Sequence, residues 1–270
     1  MNIHSGARLE QAFAHARREG RPALIAFVIP GFPTLEDSRD AFDAMVEGGA
    51  DVIEVEIPFS DPLADGATIQ GAVFQALQNG TTPASCIEFI RDMRPRHPDT
   101  PIVIMTYLNP VLAHGVEAFA SESAAAGADG VILLDLPPEE AAQTKSAFER
   151  RGLDLVFLVA PTSTEERIQA ITSQASGFVY CVSVTGITGA RDKLPEGLNE
   201  FLARVRRCTS LPLAVGFGMS RREHIEALTG VVEGVVVGSA FIDLLAKTER
   251  QERARAVREY VEVLSGRRSP

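Results

Sequence analysis

The 270-residue chain has only three cysteines, an excess of acidic over basic residues, and no long apolar run. Each shortage excludes something. Cys86, Cys181 and Cys208 are odd in number, widely spaced and without a C-x-x-C pair, so neither a disulfide framework nor a zinc site is encoded. Reduced thiols are expected. Twenty-six Lys and Arg against 36 Asp and Glu leave a formal charge of -10, which repels phosphate backbones and anionic lipid heads. Nucleic acid and membrane surfaces are therefore poor partners. No apolar stretch approaches the roughly 18 residues of a membrane helix, and the opening MNIHSGARLEQAFAHARREG is polar and amphipathic, unlike a signal peptide. This predicts a cytoplasmic protein. Internal linkers and low-complexity tracts are also missing, and the remaining composition, 45% hydrophobic and 23% charged, is that of an ordinary globular chain.

What is present is an alternation. Short apolar, often β-branched runs recur at 24–30 (LIAFVIP), 51–57 (DVIEVEI), 101–107 (PIVIMTY), 130–136 (GVILLDL), 154–160 (DLVFLVA), 177–183 (GFVYCVS), 212–218 (PLAVGFG) and 234–239 (GVVVGS). They read as buried parallel strands. Helix-like segments lie between them, with start signals at Thr34, Pro138 and Ser220 and glycine ends at Gly48, Gly80, Gly152 and Gly230. Eight β-α units with no inserted domain predict an α/β fold, a closed (β/α)8 barrel in one domain spanning 1–270, with an extra N-terminal helix. A doubly wound open sheet is the alternative. In a barrel, chemistry is expected where the strands end.

Two ends of the pattern carry chemical signals. Glycine-rich pieces follow the last three runs: TGITGAR at 185–191, GFGMS at 216–220 and VGSAF at 237–241. Glycine lets backbone N–H groups approach an anion, and a helix opening at Ser239 adds its own donors and dipole. With no G-x-x-x-x-G-K-[ST] and no strand-linked G-x-G-x-x-G, the expected ligand is a small phosphate ester, unless these glycines merely make tight loops. Near the second run, IEVEIPFSDPLADGATIQ places Glu54, Glu56, Asp61 and Asp65 within twelve residues. The two-residue period of a strand puts Glu54 and Glu56 on one face and Ile53, Val55 and Ile57 on the other. The apolar set must meet the surrounding helices, which turns both glutamates inward. There, burial and mutual repulsion should raise the proton affinity of at least one, as a general acid requires. An ion pair is the rival reading, weakened because no strand core contains Lys or Arg, and a divalent ion on the acidic cluster is weakened because no His lies at a strand end. His4, His15, His97, His114 and His224 scatter along helices and loops and are expected to be solvated.

The segments IPFSDPLADG with its preceding IE, NP after MTY, DLPPEE, YCVSVTGITGAR, GFG and GSA together resemble the tryptophan synthase alpha subunit family, in order from about residue 9 to about 265. The resemblance implies a cofactor-free carbon–carbon lyase that cleaves indole-3-glycerol phosphate to indole and glyceraldehyde 3-phosphate. It assigns proton transfer to Glu54, a hydrogen bond from the indole nitrogen to Asp65, and a place beside the ring to Tyr180. Thr188 falls where the family has the loop threonine that orders Asp65. Phe27, Met105, Tyr107, Ile132, Leu158 and Phe217 fall on the indole pocket, and Gly189, Gly218, Gly238 and Ser239 on the phosphate grip. A pyridoxal-phosphate beta subunit is the implied partner in an alpha2beta2 complex, with Asp61, Asn109, Pro110 and Pro137 at the interface; no metal is implied.

The chain departs from the family pattern at the end of the first run, which reads Val28, Ile29, Pro30, Gly31, and at Glu56, where a glycine is usual. Ala67 and Leu134 replace residues that are commonly proline, or in the second case proline or alanine. Ile29, Glu56 and Leu134 are expected to face the site. The departures leave room for two other readings: a stand-alone lyase or one acting on a related phosphorylated substrate, and a non-catalytic regulatory subunit. Intact Glu54, Asp65 and Thr188 speak against the last, because buried carboxylates cost stability.

Overall fold

The computed structural model describes residues 5–183, 196–216 and 218–269, with side chains from residue 7 onward. Eight parallel strands close on themselves in chain order, β1 pairing with both β2 and β8. They are β1 (Ala23–Val28), β2 (Val52–Glu56), β3 (Ile102–Thr106), β4 (Gly130–Leu133), β5 (Asp154–Val159), β6 (Val179–Val182), β7 (Leu213–Gly216) and β8 (Gly234–Val237). The closed barrel, not the open sheet, is the fold. Its strands are buried almost throughout, because their inner face fills the barrel and their outer face meets the helices. All eight are shorter than the apolar runs that announce them. The surplus lies mostly at the C-terminal ends, where residues such as Ile29 and Ala160 leave the ladder for the loops.

The helices among the described residues are α1 (Ser5–Arg18), α2 (Leu35–Gly48), α3 (Ala67–Gln78), α4 (Pro83–Met93), α5 (Leu108–His114), α6 (Val116–Ala126), α7 (Ala142–Glu149), α8 (Glu165–Gln174), α9 (Leu198–Cys208), α10 (Arg222–Leu228), α11 (Ser239–Lys247) and α12 (Arg253–Ser265). α1 is the extra N-terminal helix. Thr34 caps α2 as its position suggests, accepting from the Asp37 N–H at 3.2 Å. Two other start signals mislead. Pro138 opens a single 3-10 turn, and α7 begins only at Ala142. Ser220 lies two residues before α10, whose cap is Arg221. α2 continues through Gly48 and closes on Gly49, whose φ of 102° only glycine adopts freely. No helix among the described residues is long and apolar enough to cross a membrane.

Charge is handled differently at the two ends of the barrel. At the N-terminal end, Asp129 accepts from Arg8 at 2.6 Å, from Arg94 at 2.9 Å and from the Ile102 N–H at 2.8 Å. Asp51 likewise meets Arg21 and the Leu24 N–H. These buried carboxylates are fully compensated, as structural ones must be. Cys86 and Cys181 are buried thiols and Cys208 is half-buried; none is in a disulfide, and burial pushes the Cys181 thiol up to about 12. His15 is exposed as expected, but three other histidines are less so. His97 sits against Asp43 with Nε2 to Oδ1 of 2.6 Å, His114 meets Glu122 at 2.9 Å, and His224 is buried. His4 lies outside the described residues.

Candidate active site

The C-terminal end of the barrel opens into a cleft. Phe27, Glu54, Met105 and Tyr180 rise from its floor, Asp65 to Ile69 form one wall, and Gly218, Val236, Gly238 and Ser239 form the other. The carboxyl side and the glycine side, separated by more than a hundred residues in sequence, thus face one another across a single space.

β2 brings in the carboxyls. Ile53, Val55 and Ile57 are fully buried, and Glu54 and Glu56, alternating with them, are 1% and 0% exposed. In contrast to Asp51 and Asp129, these carboxyls find no cation among the described residues. Glu54 Oε2 and both Glu56 oxygens lack any hydrogen-bond partner among the described residues. Among the described residues, no three His, Cys, Asp or Glu side chains converge as a metal-binding group.

Asp65 is held from the end of β3 and from α3. The Tyr107 hydroxyl donates to Asp65 Oδ2 at 2.8 Å while accepting from the Ala64 N–H at 2.9 Å. Gln70 Nε2 donates to the Asp65 carbonyl at 2.8 Å and to the Pro62 carbonyl at 3.2 Å, pinning the loop to the first turn of α3. Burial and the Asp65 charge push Glu54 up to about 8. Asp65 rises only to about 6, because the Tyr107 hydrogen bond opposes burial. Glu56 lies well above the carboxylate range through burial, then Asp65, then Glu54. Near pH 7 the site holds an acid at Glu54 and a carboxylate at Asp65, two carboxyls driven apart by their surroundings.

Tyr180 depends on a glycine. A Cβ on Gly216 would stand 2.1 Å from the Tyr180 hydroxyl and 2.4 Å from Cζ, so the phenol lies directly on the Gly216 backbone. Gly216→Ala is expected to push the buried ring toward the cleft, destabilising the fold by about 1–3 kcal/mol and lowering turnover more than it raises KM. Steady-state kinetics with a thermal melt would check this. Tyr180 is buried at the floor of the cleft, and burial keeps its hydroxyl well above its ordinary range, as a neutral phenol.

Not every sequence-derived residue lines the cleft. Ile132 is buried in the barrel, and Leu158 borders a separate depression with Leu134, Asp135, Pro137 and Arg167. Tyr107 acts on Asp65 through its hydroxyl. Thr188, Gly189 and Phe217 lie outside the described residues. Of the departures expected to face the site, Ile29 is core and Leu134 belongs to that depression; only Glu56 stands beside Glu54. At the rim, Asp61 and Asn109 are exposed and Pro137 half-exposed, but Pro110 is on the buried face of α5 and presents no surface. Gln70, Ile69 and Gly216 were not singled out from the sequence. Gln70 left a trace there as a polar residue five positions after Asp65, and Gly216 as the first glycine of GFGMS.

Residues 13–267 match the family model described as tryptophan synthase alpha chain. The chain is 47% identical over 260 residues to the tryptophan synthase alpha chain of Roseiflexus castenholzii, covering 96% of this chain and 100% of that one. This chain belongs to the tryptophan synthase alpha chain family. It is also 42% identical over 261 residues to the tryptophan synthase of Saccharomyces cerevisiae, of which it spans 37%. Among solved structures, a tryptophan synthase chain from Mycobacterium tuberculosis superposes with a TM-score of 0.88 at 38% identity, covering 96% of this chain and 97% of that one. The alpha chain from Legionella pneumophila does so with a TM-score of 0.87 at 31% identity, covering 96% of each. Tryptophan synthase alpha chains are lyases that cleave indole-3-glycerol phosphate and carry no cofactor; the pyridoxal phosphate of tryptophan synthase resides in the beta subunit.

Proposed function

We propose that Glu54 and Asp65 divide the lyase chemistry between them as proton carrier and anionic acceptor. The observation that carries this is their opposite protonation across one cleft, Glu54 raised to about 8 and Asp65 to about 6. The Glu54 carboxylic acid protonates C3 of the indole ring, giving the indolenine, whose positive N1–H donates to Asp65. The side-chain hydroxyl then returns a proton to Glu54 as its oxygen becomes the aldehyde. The C3–C3′ bond breaks, and its electron pair restores the indole ring. Glu54 ends as it began, so the cycle balances with no added acid or base. Tyr180, Phe27 and Met105 pack the ring against the floor of the cleft.

The phosphate belongs at the opposite wall. α11 begins at Ser239 behind Gly238 with no side-chain cap, so its first N–H groups and dipole are available to an anion. Gly218, at φ 83° with open space beside it, offers backbone at close range, and the grip extends to Gly189 by resemblance.

The partner is a beta subunit docked on the rim above β2 and β3. Leu63 stands with Asp61 in the loop between β2 and α3, 84% exposed, and Leu112 with Asn109 on α5, 55% exposed. Their place beside the interface positions implied by the resemblance is what assigns them to the docking rim. Leu63→Asp is expected to weaken stimulation by a beta subunit at least tenfold while leaving the isolated chain's turnover unchanged, as a titration with that subunit would reveal. The decisive experiment is indole release from indole-3-glycerol phosphate by the purified chain, alone and with a beta subunit. Strong stimulation supports the two-subunit reading. Full activity alone favours the stand-alone lyase, and inactivity of the folded chain in both conditions points to another phosphorylated substrate, with Glu56 the residue to examine first.

A further inference from the structure

The glycine wall of the cleft is assembled from two separate segments, the loop leaving β7 and the start of α11, and both are tied to the last helix. In the β7 loop, Ser220 has both backbone groups taken by side chains behind the cleft. Its N–H donates to His224 Nδ1 at 3.3 Å, and its carbonyl accepts from the Tyr260 hydroxyl of α12 at 2.6 Å. His224 is 4% exposed, and the bond it accepts fixes its proton on Nε2, which has no partner among the described residues. The Tyr260 ring meets Phe241, in the first turn of α11, edge-on at 5.2 Å between centroids. Arg222 of α10 adds a second tie to α12, donating to the Leu264 carbonyl at 3.2 Å.

We propose that Tyr260 and His224 are positioning residues for the phosphoester half of the site, holding the Gly218 loop and the N-terminus of α11 at a fixed separation. The inference rests on the phosphate reading above. Neither side chain lines the cleft, so neither touches the ligand. Their need follows from the chemistry of the grip. Backbone N–H groups bind an anion only in the direction the backbone gives them, and a glycine at φ 83° is the least self-constrained backbone available. Two anchors on Ser220, two residues away, remove that freedom before the ligand arrives, which is where preorganised sites gain affinity. Tyr260 also links the two segments, because its hydroxyl holds one and its ring packs on the other.

The test uses three probes on the purified chain: indole-3-glycerol phosphate for turnover, glycerol 3-phosphate for the phosphate half, and indole for the ring half. Tyr260→Phe removes one hydroxyl and keeps the ring. KM and the glycerol 3-phosphate Kd are expected to rise together by about tenfold, the weight of one hydrogen bond, with kcat within about twofold and the indole Kd unchanged. His224→Leu should repeat this pattern, while His224→Asn, whose Oδ1 can accept from the Ser220 N–H, should restore most of the affinity. Unchanged glycerol 3-phosphate binding in both Tyr260→Phe and His224→Leu overturns the proposal. So does a parallel loss of indole binding, which marks general loosening of the barrel. If the wild-type chain binds indole but not glycerol 3-phosphate, the phosphate reading falls and takes this inference with it.

Discussion

Glu54→Gln is expected to lower kcat for indole-3-glycerol phosphate cleavage by about a thousandfold, within the range for loss of a general acid–base, while changing KM little. The amide keeps the shape and polarity of the side chain but can neither give nor take the proton that C3 and the hydroxyl exchange. Wild-type turnover should fall as pH rises through about 8, where Glu54 loses its proton, and as pH falls through about 6, where Asp65 gains one. The profile is thus a bell near neutrality. Glu54→Gln should erase the alkaline limb from the residual activity. Asp65→Asn should erase the acidic one. If residual turnover in Glu54→Gln kept a limb near pH 8, the proton carrier would be another group.

Glu56 gives the second large effect, in stability as well as turnover. It is fully buried and has no hydrogen-bond partner among the described residues. Its neighbours Glu54 and Asp65 are themselves acidic. The groups that feel its charge from other elements, Tyr107 of the β3–α5 junction, Tyr180 of β6 and Cys86 of α4, are all neutral when protonated. The folded chain therefore keeps Glu56 as the carboxylic acid at a pH where the unfolded chain has released that proton. Stability must then fall as pH rises above the ordinary carboxylate range, by about 1.4 kcal/mol for each pH unit over which the two states differ by one proton. Glu56→Gln, which cannot ionise, is expected to be more stable than wild type, by a margin that grows from pH 5 to pH 8 in urea titrations. Turnover separates charge from shape. Gln should preserve the profile, whereas Glu56→Gly opens the barrel beside Glu54 and should move the alkaline limb down by at least about one pH unit as burial is relieved. An unchanged limb in Glu56→Gly would show that Glu56 has no hand in tuning the site.

The eight strands were legible because buried parallel strands are written as continuous β-branched runs, and only the ends were overrun. Glu54 and Glu56 were legible for a simpler reason. A strand allows two faces, and three large apolar residues claim one of them. The pairing of Tyr107 with Asp65 and the seat of Tyr180 on Gly216 were not legible, since each joins residues from different β-α units. Ile29 and Leu134 show the same limit from the other side. Both stand at the ends of strands, yet one turns into the core and the other into a neighbouring depression.

What the amino-acid order determined by itself is the repeating unit, the inward face of β2 and the glycine content of the last strand ends, all of which follow from local period and backbone freedom. What only the closed barrel decided is which carboxyls stay uncompensated. Asp51 and Asp129 look no different from Glu54 in composition, but barrel closure brings Arg21, Arg8 and Arg94 to the N-terminal end and leaves the C-terminal end without a described cation beside Glu54. That asymmetry, the product of distant residues meeting, leaves Glu54 an acid poised near neutral pH and pairs the two aspartates with arginines.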